Sequence, residues 1–265
     1  MDIATIKAMH AEHGKDLALV VNMSGGKDSV RMLAFLREHF SDITTYVVYA
    51  DTGFEHVRPI SAEEFARQRT ADFGLELVTV RNPNKTYLEM VERRGKFPSS
   101  STRQCTSDLK RDPIHKFIRT LAHSVIINCT GIRAAESASR SKQNPWKQDA
   151  RISKAGRQVW NWMPIFHESL QQVLDWHQAS GTALHPVYSY AGGYLKRLSC
   201  RVCIFATNAD IKAIYQHDRE AFDLVASLEQ RIGFTMRAGE SLFQIIGQDI
   251  AADSQAEEFE APCAA

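Results

Sequence analysis

Six consecutive residues, Ser24-Gly25-Gly26-Lys27-Asp28-Ser29, have the types and spacing to hold a phosphate or pyrophosphate. Paired glycines let successive backbone N–H groups turn into one concavity, and a helix starting there adds its positive end. Lys27 brings a charge, and Ser24 and Ser29 bring hydroxyls. The usual nucleotide P-loop differs, with Ser or Thr directly after Gly-Lys and a glycine five residues before the second one. Here Asp28 follows Lys27, and Val21 occupies the earlier glycine position. A plain strand-to-helix turn capped by Ser accounts for the glycines alone, but six matching residues favour the anion cradle. Asp28 suits two roles: positioning a metal ion or its waters, and complementing a helix N-terminus.

Sulfur forms a second set. Cys200-x-x-Cys203 suits zinc, a redox dithiol or an iron–sulfur site, and Cys105 offers a third thiol. Zinc requires a fourth ligand, for which His185 and His217 are the candidates. Three cysteines alone suit a cubane cluster with one open iron. Cys129 ends an apolar run and reads as a small buried hydrophobe. Trp146, Trp160, Trp162 and Trp176 read as packing residues.

Positioning these groups falls to alternating strands and helices. Apolar, β-branched runs predict strands at 17–21, 44–50, 75–80 and 124–129. Helical spacing predicts helices at 2–13, from the glycine turn to about 40, and at 58–73, 113–122, 170–179, 210–216 and 219–232. The order argues an α/β fold, a parallel sheet with helices on both faces. Ligands in such sheets bind beyond the strand C-terminal ends. The glycine turn, Asp51-Thr52-Gly53 and Thr130-Gly131-Ile132-Arg133 all fall there. Asp51 is a candidate contact to an adenosine, or simply the start of a turn. Lys110, Arg140 and Lys142 are candidate phosphate contacts. Residues 85–107 and 134–159 are polar and basic without clear periodicity, and read as long loops over the crevice. The expected boundaries are a sheet domain at 1–165, a helical region with the Cys-x-x-Cys pair at 166–252, and a disordered tail at 253–265.

The 265 residues are 44% hydrophobic and 24% charged, a globular composition. No apolar run approaches the roughly 18 residues that span a bilayer, so no membrane role is expected. Residues 1–15 lack the layout of a secretory signal, and the expectation is a cytoplasmic protein. Five cysteines, an odd number, argue against a disulfide framework. The net charge of +1 hides an asymmetry. Residues 92–157 hold 15 Lys and Arg against 5 Asp and Glu, whereas residues 216–265 hold 3 against 10. The basic centre suits an anionic substrate or a nucleic acid.

With its segments placed, the chain resembles the adenosine-phosphosulfate/phosphoadenosine-phosphosulfate reductase family of N-type ATP pyrophosphatases, over roughly residues 17–215. Residues 24–29 match its pyrophosphate (PP) loop, and Tyr49-Ala50-Asp51-Thr52-Gly53-Phe54-Glu55 its second motif. Cys105-Thr106-Ser107-Asp108-Leu109-Lys110 with Pro113 is similar to its cysteine–lysine–proline segment. Gly131-Ile132-Arg133-Ala134-Ala135-Glu136-Ser137 followed by Arg140 resembles its arginine loop. His185-Pro186-Val187-Tyr188 and Arg197-Leu198-Ser199-Cys200-Arg201-Val202-Cys203 resemble the segment ending in its cysteine pair.

The resemblance implies an adenine nucleotide hydrolase-like (HUP-type) fold that binds ATP through Ser24, Gly25, Gly26, Lys27, Asp28, Ser29, Asp51, Gly131 and Arg133. Lys27, Asp28 and Arg133 are then the catalytic group, with Mg²⁺ bridging phosphate oxygens. It also implies a [4Fe-4S] cluster, or zinc in its place, on Cys105, Cys200 and Cys203. Two departures stand out. The reductases carry a nucleophilic cysteine in a Glu-Cys-Gly-x-His element, which these 265 residues do not contain; the late Cys263 sits in Ala-Pro-Cys-Ala-Ala. The first cysteine segment has Gln104-Cys105 in place of a cysteine pair. In overall pattern the chain is most similar to the ATP-pyrophosphatase component of bacterial DNA phosphorothioation systems. That likeness implies adenylylation of a nucleic acid, DNA before RNA, and a cysteine desulfurase or other sulfur donor as partner. A homodimer is the default expectation. The alternatives are a sulfonucleotide reductase, a tRNA thiolation enzyme, and a nucleotide-binding module without turnover.

Overall fold

The computed structural model describes residues 3–198 and 200–247. The expected disordered tail at 253–265, with Cys263, lies outside them. The chain divides into two compact units: Met1–Met90 with Arg103–Cys200, and Val91–Thr102 with Arg201–Ala265.

In the first unit, helix α1 (Ile3–His13) leads to β1 (Leu17–Asn22), whose residues are all buried except the half-buried Asn22. A run buried on both sides must be a central strand. It pairs in parallel with β2 (Thr44–Asp51) on one side and β4 (Val125–Cys129) on the other. Beyond β2 lies β3 (Leu77–Arg81), and beyond β4 lies β6 (Gln158–Trp162), both parallel. The order is β3-β2-β1-β4-β6-β5. The sheet departs from the expected all-parallel form at one edge, where β5 (Trp146–Gln148) runs antiparallel to β6. Only nine residues link these two strands, too few for the crossover that parallel pairing needs.

Strand alternation sends Leu17, Leu19 and Val21 into one core with Met32, Leu33 and Leu36 of α2 (Lys27–His39). Val20, Val48, Ile126 and Val159 face the other way, against Ile114 and Ile118 of α6 (Asp112–Thr120). Trp162 packs edge-on against Phe35, Phe40 and Trp146, which confirms the tryptophans as packing residues. Cys129 is fully buried, and that burial pushes its thiol pKa up.

On the α6 face the C-terminal ends of three strands carry a row of amides. Asn22 Nδ2 donates to Asn128 Oδ1 (2.7 Å), Asn128 Nδ2 to Asn161 Oδ1 (2.8 Å), and Asn161 Nδ2 to Asp149 Oδ2 (2.9 Å). Burial works against the Asp149 charge, but bonds from Arg151 and Asn161 outweigh it and hold the carboxyl below the usual range.

The segment 85–107, expected as a loop, contains α4 (Tyr87–Arg94) and α5 (Gln104–Thr106). Tyr87, Met90 and Val91 are buried, and Thr86 and Glu89 cap the start. A π-helical turn, Ser107–Arg111, leads into α6. The segment 134–159 likewise holds a 3₁₀ turn, the short α7 (Ala138–Ser141) and β5. Helix α3 (Ala62–Ala71) begins later than expected, because Ser61 caps it by accepting from Glu64 N–H at 3.0 Å. Helix α8 (Leu170–Ser180) completes the described helices of this unit.

The second unit contains α9 (Asn208–His217), α10 (Arg219–Ile232) and α11 (Leu242–Ile246). Phe222 packs between Tyr215 and Phe243. The buried Glu229 carboxylate accepts from Met236 N–H (2.6 Å) and Leu242 N–H (2.9 Å). Arg201 forks onto Asp218 and reaches Glu220.

Candidate functional site

The strand order reverses between β1 and β4, and the segments following these two strands meet there. Such a switch point opens a crevice at the strand C-terminal ends. After β1 the chain passes through Ser24-Gly25-Gly26 and enters α2 at Lys27. Gly25 has φ +72°, and a Cβ there would lie 2.9 Å from the Ala62 carbonyl oxygen. A Cβ on Gly26 would meet the Tyr188 hydroxyl at 3.1 Å and Ser24 Oγ at 3.2 Å. Gly131, after β4, comes close enough that its Cβ would lie 2.9 Å from the Asp28 carbonyl oxygen. The three glycines therefore allow the close approach that brings these segments together.

Two buried cations converge on one carboxylate. Arg133 Nε donates to Asp28 Oδ1 at 2.6 Å, and Lys27 Nζ lies 3.1 Å from Asp28 Oδ2. Lys27 is 6% exposed and Arg133 4%. Arg133 is held by its neighbours: its backbone N–H donates to the Glu136 carboxylate (2.9 Å), and its side-chain Nη1 donates to the Glu168 carbonyl (3.5 Å). Glu168 is itself gripped by Arg31 of α2 (2.7 Å). The three side chains carry a net positive charge at a helix N-terminus, the electrostatics of an anion site.

Within the loop, hydroxyls already satisfy several donors. Ser24 N–H donates to Ser29 Oγ (3.2 Å), Gly26 N–H to Ser24 Oγ (3.3 Å), and Lys27 N–H to the Tyr188 hydroxyl (3.2 Å). Ser29 Oγ donates to the Gly26 carbonyl (2.8 Å). The Tyr188 oxygen therefore sits where a phosphate oxygen would meet the first helical N–H. Burial pushes its phenol pKa up, so it remains neutral.

Asp51, at the end of β2, accepts from Gly53 N–H (2.7 Å) and lies 3.5 Å from Arg81, the geometry of a turn. Nearby Glu55 accepts from Thr52 N–H (3.1 Å), the Thr52 hydroxyl (2.5 Å) and Phe54 N–H (3.2 Å). Burial raises its pKa, opposed by the neighbouring Lys110. Arg140 is paired with Glu136, and Lys142 is exposed. Tyr188, Glu55 and Glu168 were not among the residues singled out, although Tyr188 and Glu55 stand inside recognised motifs.

Cys105 and Cys200 belong to the first unit and Cys203 to the second. Cys200 pairs by an isolated antiparallel bridge with Glu55. Among the described residues no group of three His, Cys, Asp or Glu side chains is placed to hold a metal ion. His185 does not serve as a fourth ligand. It is fully buried, its Nε2 donates to the Ile60 carbonyl (3.1 Å), and its Nδ1 accepts from Val187 N–H (3.1 Å).

A doubly covered, mostly parallel α/β sheet with a glycine–lysine turn at its switch point defines a class of nucleotide-binding α/β proteins. The phosphoadenosine phosphosulfate reductase domain model matches residues 18–236, and the chain belongs to that family. It is 25% identical to an uncharacterised 37.8 kDa protein of Escherichia phage 186, over 84% of this chain and 78% of that protein. It is 28% identical to an uncharacterised protein of Methanocaldococcus jannaschii over 70% of this chain, and the match spans only 36% of that protein. Among solved structures it is similar to the Candida auris phosphoadenylyl-sulfate reductase, with a TM-score of 0.49 and 11% identity over 76% of this chain and 88% of that one. Among the described residues no helix is long and apolar enough to cross a membrane.

Proposed function

We propose that this protein is an ATP pyrophosphatase that adenylylates a nucleic-acid backbone, DNA before RNA, and so activates it for sulfur incorporation. One observation carries the reading: the buried Lys27 and Arg133 converge on Asp28 at the N-terminus of α2, beside the closely packed glycine turn. In this reading the triphosphate replaces the Tyr188 hydroxyl at the Lys27 N–H, and Ser24 and Ser29 turn their hydroxyls to it. A phosphate oxygen of the acceptor attacks the α-phosphorus of ATP. The bond from that phosphorus to the bridging oxygen breaks, and pyrophosphate leaves with the electron pair. Lys27 and Arg133 neutralise the charge developing on the leaving group. Asp28, the only carboxylate in the cluster, would hold the accompanying Mg²⁺, which supplies further neutralisation. Sulfide, released from a cysteine desulfurase persulfide by a thiol reductant, would then form the phosphorus–sulfur bond as the bond to AMP breaks and AMP leaves. Cys105, Cys200 and Cys203 have no part in the activation step.

Labelling tests this directly. ATP labelled in its α-phosphate, incubated with Mg²⁺ and oligonucleotides, should transfer label to DNA. Label that stays on free nucleotides with both DNA and RNA acceptors overturns the reading. The family match favours a second reading, sulfonucleotide reduction, and sulfite released from a sulfonucleotide with a thiol reductant would establish it.

A further inference from the structure

We propose that the outer face of α6 and the adjoining 151–157 turn form the docking surface for the phosphodiester backbone of the nucleic acid, an inference that rests on the acceptor class proposed above. Helix α6 buries Ile114 and Ile118 against the sheet and leaves Lys116 and Arg119 exposed. Lys116 and Arg119, three residues apart, share the exposed face of the helix with Asp112; Arg111 ends the π-helical turn just before it, and His115 is buried.

The turn is tied to α6 at two points. Arg157 donates to the carbonyls of Ile118 (3.4 Å), Arg119 (3.1 Å) and Leu121 (2.6 Å), clamping the turn to the C-terminal end of α6. Arg151 forks onto Asp149 through Nε (3.0 Å) and Nη2 (2.9 Å), and Asp149 Oδ2 lies 3.5 Å from His115 Nε2. Burial keeps His115 neutral against the pull of Asp149, and Arg151, Arg111 and Arg119 reinforce that effect.

Arg111, Lys116, Arg119, Arg151, Lys154 and Arg157 thus share one surface. Their close counter-charges are Asp149, buried beneath Arg151, and Asp112, 3.7 Å from Arg111. The surface is net positive, and Arg151 and Arg157 within it are fixed by hydrogen bonds. Its length also fits the partner. Eight residues of helix separate Arg111 from Arg119, about 12 Å, the axial length of about three to four phosphates on one duplex strand. Among the described residues, none of the exposed large apolar side chains lies on α6 or the turn. A membrane or an apolar protein helix would use such groups, whereas a phosphate backbone has no need of them.

The test is fluorescence anisotropy of labelled 20-mer DNA, single-stranded and duplex, titrated with the full chain over a salt series. The variant is Lys116→Glu, Arg119→Glu, Lys154→Glu, three exposed side chains outside the Asp28 cluster and the Asp149 network. Oligonucleotide affinity should fall about tenfold or more at 0.1 M salt, and the log-affinity against log-salt slope should drop by about 2 to 3. Binding of a fluorescent ATP analogue should stay unchanged, reporting that the variant is folded. The milder Lys116→Ala, Lys154→Ala pair should give a smaller loss of the same sign. Unchanged DNA affinity in both variants overturns the proposal. So does a wild-type chain that binds neither DNA form, or one that binds phosphatidylserine vesicles instead. Binding is read without turnover: an adenylylation failure leaves the surface standing, and adenylylation with DNA binding unaffected by the variants removes the surface alone.

Discussion

Asp28 stands between two cations, one on each carboxylate oxygen, and this arrangement sets what single substitutions should do. Lys27→Ala removes a buried charge from the place where the leaving group accumulates its own. Pyrophosphate release at saturating ATP should fall by about 10²- to 10³-fold. Arg133→Lys should fail to restore activity. Lysine keeps the charge but loses the planar fork that serves Asp28 and the Glu168 carbonyl together. Tyr188→Phe deletes the acceptor at the Lys27 N–H and, through the same oxygen, at Leu198 N–H. Urea unfolding should show a loss of about 1–3 kcal/mol, the cost of buried donors without partners. Saturating ATP should recover part of that loss, because a phosphate oxygen takes over at Lys27.

Strand, turn and helix together position that cluster, and the glycines set the tolerance of the arrangement. Gly25→Ala forces a side chain into left-handed backbone facing a carbonyl oxygen at 2.9 Å. Urea unfolding should show a loss of about 1–2 kcal/mol from the backbone conformation alone. The amide row across β1, β4 and β6 has a pH signature. Its anchor, Asp149, has a folded pKa held below its unfolded value of about 3.9. The stability it contributes is therefore complete above that value and is lost as pH falls through it towards the folded pKa. Wild-type stability should drop more between pH 6 and pH 3 than that of Asp149→Asn; parallel pH profiles would contradict this role. The β1–turn–α2 unit was legible because an apolar run, two glycines and a helical period follow each other between Leu17 and His39. Helix α4 was not read, because its charged residues masked the spacing of Tyr87, Met90 and Val91 behind the Thr86–Glu89 cap. Asn22, Asn128 and Asn161 look like isolated polar residues until the strand order sets them side by side. Tyr188 meets Lys27 across 161 positions of chain, a contact that no local period encodes.

Across the chain, the Lys27–Asp28–Arg133 cluster and the basic face of α6 both lie in the first unit, on the sheet that the family model covers. In the proposed function the uneven charge along the sequence divides in space: buried cations at the strand ends would serve a triphosphate, and exposed cations on α6 a polymer. The phosphate chemistry at the strand ends is the centre of the proposed function. That chemistry is read most directly from the product of ATP labelled in its γ-phosphate, incubated with Mg²⁺, DNA and the protein. Labelled pyrophosphate, formed by the wild type and lost in Lys27→Ala, is the predicted result. Labelled orthophosphate in its place would mean attack at the γ-phosphorus and would contradict the account.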